Sequence, residues 1–185
     1  GAAAVMAGRG ALIRPWLFAE FKQGKEFGWS AEERVTLVYR RLVALMREHF
    51  GDDAMGRRKA WYFLPWHFSF FHRYRRYPQD VYGAAARDYP LILTRVDTVD
   101  ERLGESVGEL DPLERLLRCE LEEAHERIAG ALWDAGSDAD AITALRRLAS
   151  ENLEEWEAAA RSKEGRGDAS RGGGVGGKRD RDEEY

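Results

Sequence analysis

Cysteine is nearly missing from this 185-residue chain: Cys119 stands alone. A single thiol has no partner within the chain, which excludes an internal disulfide framework and suits a reducing compartment. No run of about 18 apolar residues occurs, so no membrane-spanning helix and no membrane partner are expected. Metal-ligand spacings are missing too. His49, His67, His72 and His125 have no HExxH or CxxC company, and no metal site is expected. There is no Arg-rich leader, no signal-peptide pattern and no internal repeat. The first residue is Gly rather than Met, so the N-terminus is expected to be processed, tagged or cut from something longer. The sequence does not assign a location beyond an expected intracellular one, cytoplasm or an organelle.

What is present is a core-forming but highly charged chain, 44% hydrophobic and 34% charged. A chain of this size holds one domain or two small ones. The net charge of -4 points to no partner, but its distribution does. Residues 1–78 carry 14 Lys and Arg against 7 Asp and Glu, whereas residues 79–185 carry 15 against 26. A basic front half and an acidic back half fit an anion-binding front, with chance clustering on helical surfaces as the competing explanation.

Along the chain, residues 2–7 read as a short strand and residues 8–14 as a glycine-containing loop, with Pro15 opening a helix that stops near Gly24. Ser30 and Glu33 form a Ser-x-x-Glu capping box. The helix it starts has apolar residues at Val35, Val38, Leu42, Leu45 and Met46, and ends at Gly51. From about Asp53 a third helix enters the aromatic stretch "RRKAWYFLPWHFSFFHRYRRY", where Pro65 should kink or split it. A weaker helix precedes Pro90, and a loop of roughly 20 residues follows. Asp111 and Pro112 start a helix with a stripe at Leu113, Leu116, Leu117, Leu121, Ala124, Ile128 and Leu132, ended by Gly136. Ser137 or Asp138 starts a last helix with Ile142, Leu145, Leu148, Leu153 and Trp156 inward. From about Ser162 the composition cannot bury a core and predicts disorder.

A lone GxG is most often a tight turn. The longer pattern "VMAGRGALIRPWLFAEFK", together with "GRRKAWYF" at residues 56–63, resembles the tRNA-dihydrouridine synthase family, over residues 5–77. Members of that family are FMN-linked TIM-barrel oxidoreductases followed by a helical domain. The resemblance implies a mainly α chain: the last strand-loop-helix of a TIM (β/α)8 barrel, then a helical bundle domain and a disordered tail. The implied division is residues 1–27 for the barrel end, 28–110 for a helical tRNA-binding-like domain, 111–161 for a helical hairpin extension, and 162–185 for the tail.

By the same resemblance Gly8 and Arg9, with Gly10, would meet the FMN phosphate. The physics of such a corner agrees, because backbone N–H groups at a helix N-terminus favour anions and TIM barrels hold phosphates after their last strands. The family's catalytic cysteine and flavin-ring residues lie upstream of the matching region, so no catalytic residue is assigned here. Cys119 is expected to be structural. The parent reaction would be NAD(P)H-dependent reduction of uridine to dihydrouridine in tRNA, and the chain alone should not hold FMN tightly.

The remaining chemistry is RNA binding. Arg57, Arg58 and Lys59 are consecutive, and Arg73, Arg75 and Arg76 follow one helix later. Such cations supply most non-specific nucleic-acid affinity. Tyr62, His72, Tyr74 and Tyr77 are interleaved as candidates for stacking on bases, while Trp61, Phe63, Phe68 and Phe71 are expected in the core. The acidic helices at 111–156 are expected either to pack on the bundle or to meet a protein partner. The rival function is a non-catalytic helical RNA-binding or adaptor protein that retains a barrel fragment.

Overall fold

The computed structural model describes residues 4, 6–77, 83, 84, 87, 88, 101, 103, 104 and 107–171. Its helices are α1 (Arg9–Ile13), α2 (Leu17–Gln23), α3 (Ala31–Arg34), α4 (Arg40–Phe50), α5 (Ala54–Ala60), α6 (Leu64–Phe71), α7 (Pro112–Leu117), α8 (Glu122–Asp134) and α9 (Asp138–Arg171). No strand occurs among the described residues. Ala4, Met6 and Ala7, which fall in the expected strand, are not in one, and the expected loop over residues 8–14 is largely the short helix α1. A single edge without sheet partners gains no ladder hydrogen bonds, so the helical alternative wins locally.

Most punctuation is where the sequence puts it. Ser30 accepts from the Glu33 N–H at 3.2 Å while the Glu33 carboxylate accepts from the Ser30 N–H at 2.8 Å. Gly24 and Gly51 end their helices with φ of 61° and 98°, conformations that favour glycine. Asp53 caps α5 and Asp111 caps α7 through their side chains. Pro65 sits in the first turn of α6, dividing the aromatic stretch into α5 and α6.

Three features differ from expectation. A π-helical segment, Val35–Tyr39, joins α3 to α4. The wider turn rotates the buried stripe, so Val35, Tyr39, Val43 and Met46 are buried whereas Leu45 is 45% exposed. The helix expected through Leu132 is broken between Leu117 and Glu122, with Leu121 extended at the N-cap of α8. The ring Nε2 of His125 donates to the Cys119 carbonyl across that break at 2.8 Å, satisfying an acceptor the interrupted helix leaves open. Finally, α9 runs to Arg171, past the expected start of the tail; residues 172–185 lie outside the described residues. Most of the expected weak helix and loop before residue 107 lie outside them too.

A single core joins front and back. Val35, Tyr39, Leu64, Phe68 and Phe71 cluster with Leu113, Leu116, Ile128, Leu132, Leu145 and Trp156. Helix α8 packs on α4, α6 and α9, and α9 also packs on α7. The α1–α2 corner is fastened to this body by aromatic contacts: Trp16 lies 5.3 Å from Trp29 and 5.0 Å from Tyr74, centroid to centroid. Buried Glu20 reinforces the attachment, accepting from Arg14 and from the Phe27 N–H, each at 2.7 Å.

Part of the charge asymmetry is consumed inside the molecule. Arg40 donates to the Leu132 carbonyl at 2.7 Å, Arg47 to the Trp133 carbonyl, and Arg57 to both oxygens of Asp134. Three cations from the front half therefore meet the C-terminal end of α8, where the helix dipole is negative and carbonyls lack intrahelical partners. The acidic helices pack on the bundle, the first of the two alternatives raised by their sequence.

Two histidines sit at the α6–α8 contact. The rings of His72 and His125 stack at 5.3 Å and both residues are buried. Burial, then the neighbouring His125 and Arg73, pushes the His72 pKa down to about 3; burial also lowers that of His125. Both rings are held neutral in the fold, whereas in the unfolded chain they take up protons below about pH 6.5. Stability is thus full above that pH and declines as the pH falls towards the folded values, by up to about 1.4 kcal/mol per pH unit for each fully shifted ring. His72 Nε2 accepts from Arg73, and a hydrogen bond to the Ser69 backbone only partly offsets the burial of the ring. Urea midpoints at pH 7.5 and 5.5 should show the decline, and His72→Phe should lessen it. A midpoint independent of pH in the parent would refute this assignment.

Candidate functional site

The glycine corner is open. Gly8 caps α1, and Gly8, Arg9 and Gly10 are all exposed. A Cβ placed on Gly8 or Gly10 meets nothing within 4 Å, so no packing among the described residues demands glycine at either position. The backbone here and the Arg9 side chain are thus open to solvent at the start of α1. Helix α1 in turn packs on α6, which places the corner against the aromatic, basic segment.

The six basic candidates do not share one environment. Arg57 is half-buried, paired with Asp134, with its guanidinium 5.2 Å from the Trp61 ring centroid. Arg58 and Lys59, on the next two positions of α5, are exposed. Arg73 is exposed with its guanidinium carbon 5.9 Å from the Phe70 centroid. Arg75 is partly buried and donates to the His72 and Tyr74 carbonyls. The Arg76 side chain lies against Gly28, where an added Cβ would come within 2.9 Å of its guanidinium.

The aromatic assignments need correction. His72 and Tyr74, expected as stacking candidates, are buried, at 7% and 4% exposure. Phe63, expected in the core, is 46% exposed; Trp66 is 47% exposed and Tyr62 75%. Phe68 and Phe71 are buried as expected. The separating signal lies in spacing. Phe68 and Phe71 share a face with Leu64, while Phe63, Trp66 and Phe70 follow a neighbouring one. Cys119 is buried, and desolvation raises its thiol pKa, as befits a structural side chain. Among the described residues no group of three or more His, Cys, Asp or Glu is placed to hold a metal, and no helix is long and apolar enough to cross a membrane.

The exposed glycine corner, and a body that is helical throughout its described residues, set the frame for comparison with known proteins. The dihydrouridine synthase family model matches residues 1–100, and the chain belongs to that family. A Coprinopsis cinerea protein named tRNA-dihydrouridine(47) synthase is 43% identical over 74 residues, covering 40% of this chain and 11% of that protein. Mouse and human proteins named as tRNA-dihydrouridine(47) synthase-like are each 38% identical over 74 residues, 40% of this chain, and 12% and 11% of theirs. All three names carry NAD(P)(+). The chain thus spans about a tenth of the length of the curated relatives it matches. No solved structure matches it.

Proposed function

We propose that this chain is the C-terminal part of a flavin-dependent tRNA-dihydrouridine synthase. It contributes the corner for the FMN phosphate, at Gly8, Arg9 and Gly10, and basic helices that face tRNA, through Arg58, Lys59 and Arg73 above all. The observation that supports this reading is the family match over residues 1–100, which takes in both the corner and α5–α6. When bound, reduced FMN would supply the hydride that, together with a proton from an acid outside this chain, saturates the uracil C5–C6 bond, with NAD(P)H as the source of electrons. The chain's own residues bind and orient: Arg9 and the first N–H groups of α1 take the phosphate, and the basic face takes the RNA backbone. The names of the relatives favour the uridine at tRNA position 47 as substrate.

Two measurements test the proposal. In cells lacking the gene, dihydrouridine at tRNA position 47 should disappear while dihydrouridine elsewhere in the tRNA remains. In the full-length gene product, Arg9→Ala should weaken flavin retention about tenfold, the weight of one hydrogen bond to a charged group. Unchanged modification in the deleted cells would refute the assignment of substrate, and unchanged flavin retention would remove Arg9 from the cofactor site.

A further inference from the structure

Residues 54–77 contain six Lys and Arg and no Asp or Glu. Of these cations, Arg57 is neutralised by Asp134, and Arg76, though exposed, lies against Gly28; Arg58, Lys59 and Arg73 are exposed. Between Lys59 and Arg73 the surface is aromatic. Tyr62 is 75% exposed, Phe63 46% and Trp66 47%, an unusual concentration of ring surface on a helical body. Phe63 at the N-cap of α6, Trp66 and Phe70 within it and Arg73 in the turn that follows stand at spacings of three, four and three, which places them on one side over about 15 Å. Trp66 meets Phe70 edge-to-face at 4.8 Å, and the Arg73 guanidinium lies over the Phe70 ring. The rings are thereby held in place rather than free to collapse onto the core.

A row of rings with cations at both ends and no acid within it complements an unpaired polyanionic strand. Every base has a face to stack on a ring, and the flanking phosphates reach the cations. Duplex RNA fits poorly, since its bases are already stacked and its deep groove admits no side chains. Resting on the tRNA reading above, we propose that the α5–α6 corner is a stacking platform for unpaired nucleotides. Tyr62 and Trp66 take bases; Arg58, Lys59 and Arg73 take the adjoining phosphates.

The test uses the full 185-residue chain with three probes: total tRNA, a 12-nucleotide oligouridylate and a 12-base-pair RNA duplex. The parent should bind tRNA and oligouridylate, and the duplex more weakly. Trp66→Leu, which keeps apolar bulk but removes the π face, should weaken both favoured probes at least fivefold, about the least that one lost base stack costs. Trp66→Tyr should recover most of that loss. The salt dependence should be unchanged by Trp66→Leu but shallower in Arg58→Gln with Lys59→Gln, because only the cations release counterions. Circular dichroism should show all variants folded, since these side chains are exposed.

Undiminished binding by Trp66→Leu, equal binding of the duplex, or no RNA binding by the folded parent would each overturn the platform. An acidic protein partner on this surface would appear as the first of these. Dihydrouridine mapping separates this failure from failure of the synthase reading. Modification that depends on the gene while Trp66→Leu binds normally removes the platform alone. Modification independent of the gene overturns the synthase reading, whatever the binding shows.

Discussion

Gly56→Ala is expected to destabilise the chain by about 3 kcal/mol, the upper range for forcing one methyl group into a filled space. A Cβ on Gly56 would lie 2.0 Å from the Gly51 carbonyl oxygen, 2.5 Å from its carbon and 2.8 Å from the Phe50 oxygen. All three are backbone atoms, so no side-chain rotation relieves the clash. The turn between α4 and α5 is also pinned from both sides: Gly51 has φ of 98°, and Asp53 accepts from the Gly56 N–H at 2.7 Å. Relief would require α5 to move off α4, carrying Ala60 out of the core and displacing Arg58 and Lys59. Gly130→Ala provides the contrast. Gly130 lies inside α8, where an added Cβ has Trp61 at a comfortable 3.8 Å. There the substitution should stabilise by about 0.5–1 kcal/mol through helix propensity and loss of unfolded-state freedom. Urea denaturation of the two variants beside the parent measures both effects. Equal midpoints for Gly56→Ala and the parent would show that the two backbones can separate freely.

The residues that fixed local structure were readable because their partners are close in sequence. Ser30 and Glu33 satisfy each other across three positions, Asp111 caps the N–H of Leu113, and Gly24 and Gly51 supply φ values that other residues avoid. What was not readable depends on distant partners. The basic face of α4 looks like a solvated or RNA-binding stripe, yet Arg40 and Arg47 reach backbone carbonyls 92 and 86 residues away. Carbonyl acceptors leave no mark in a sequence, so nothing in composition distinguishes these arginines from Arg58. The same holds for the break between α7 and α8, which contains no Gly or Pro. The carbonyl it frees is satisfied by a histidine ring six positions on. The π-helical segment rotated the stripe on α4 by a residue's angle, so positions counted at spacings of three and four were partly wrong. In the candidate site, the corner and the basic clusters were visible as motifs. Spacing sorts the rings into two faces, but which face is buried was not visible, because that is decided by the one that meets α8.

Glu114→Ala should cost about 3–5 kcal/mol, the range for removing one partner from a buried ion pair. Glu114 lies in the first turn of α7, where its charge also suits the helix dipole. It accepts from Arg34 and, at 2.8 Å, from Arg118 Nε. Arg34 is only 3% exposed, and its guanidinium lies 4.7 Å from the Tyr74 ring centroid. The carboxylate thus sits where the front helices, the Trp16–Tyr74 attachment of the corner and the acidic back helices converge. Without it, a buried guanidinium keeps its desolvation cost and loses the compensating charge. Glu114→Gln keeps the shape and one acceptor oxygen, and its loss should be smaller. Arg34→Met combined with Glu114→Leu removes the Arg34 charge together with its carboxylate, so although Arg118 still loses that acceptor the pair should be less damaging than the sum of the single changes. The resulting coupling measures the pair directly. Thermal or urea unfolding of the four chains gives that cycle. Additive losses would mean that the two residues act independently.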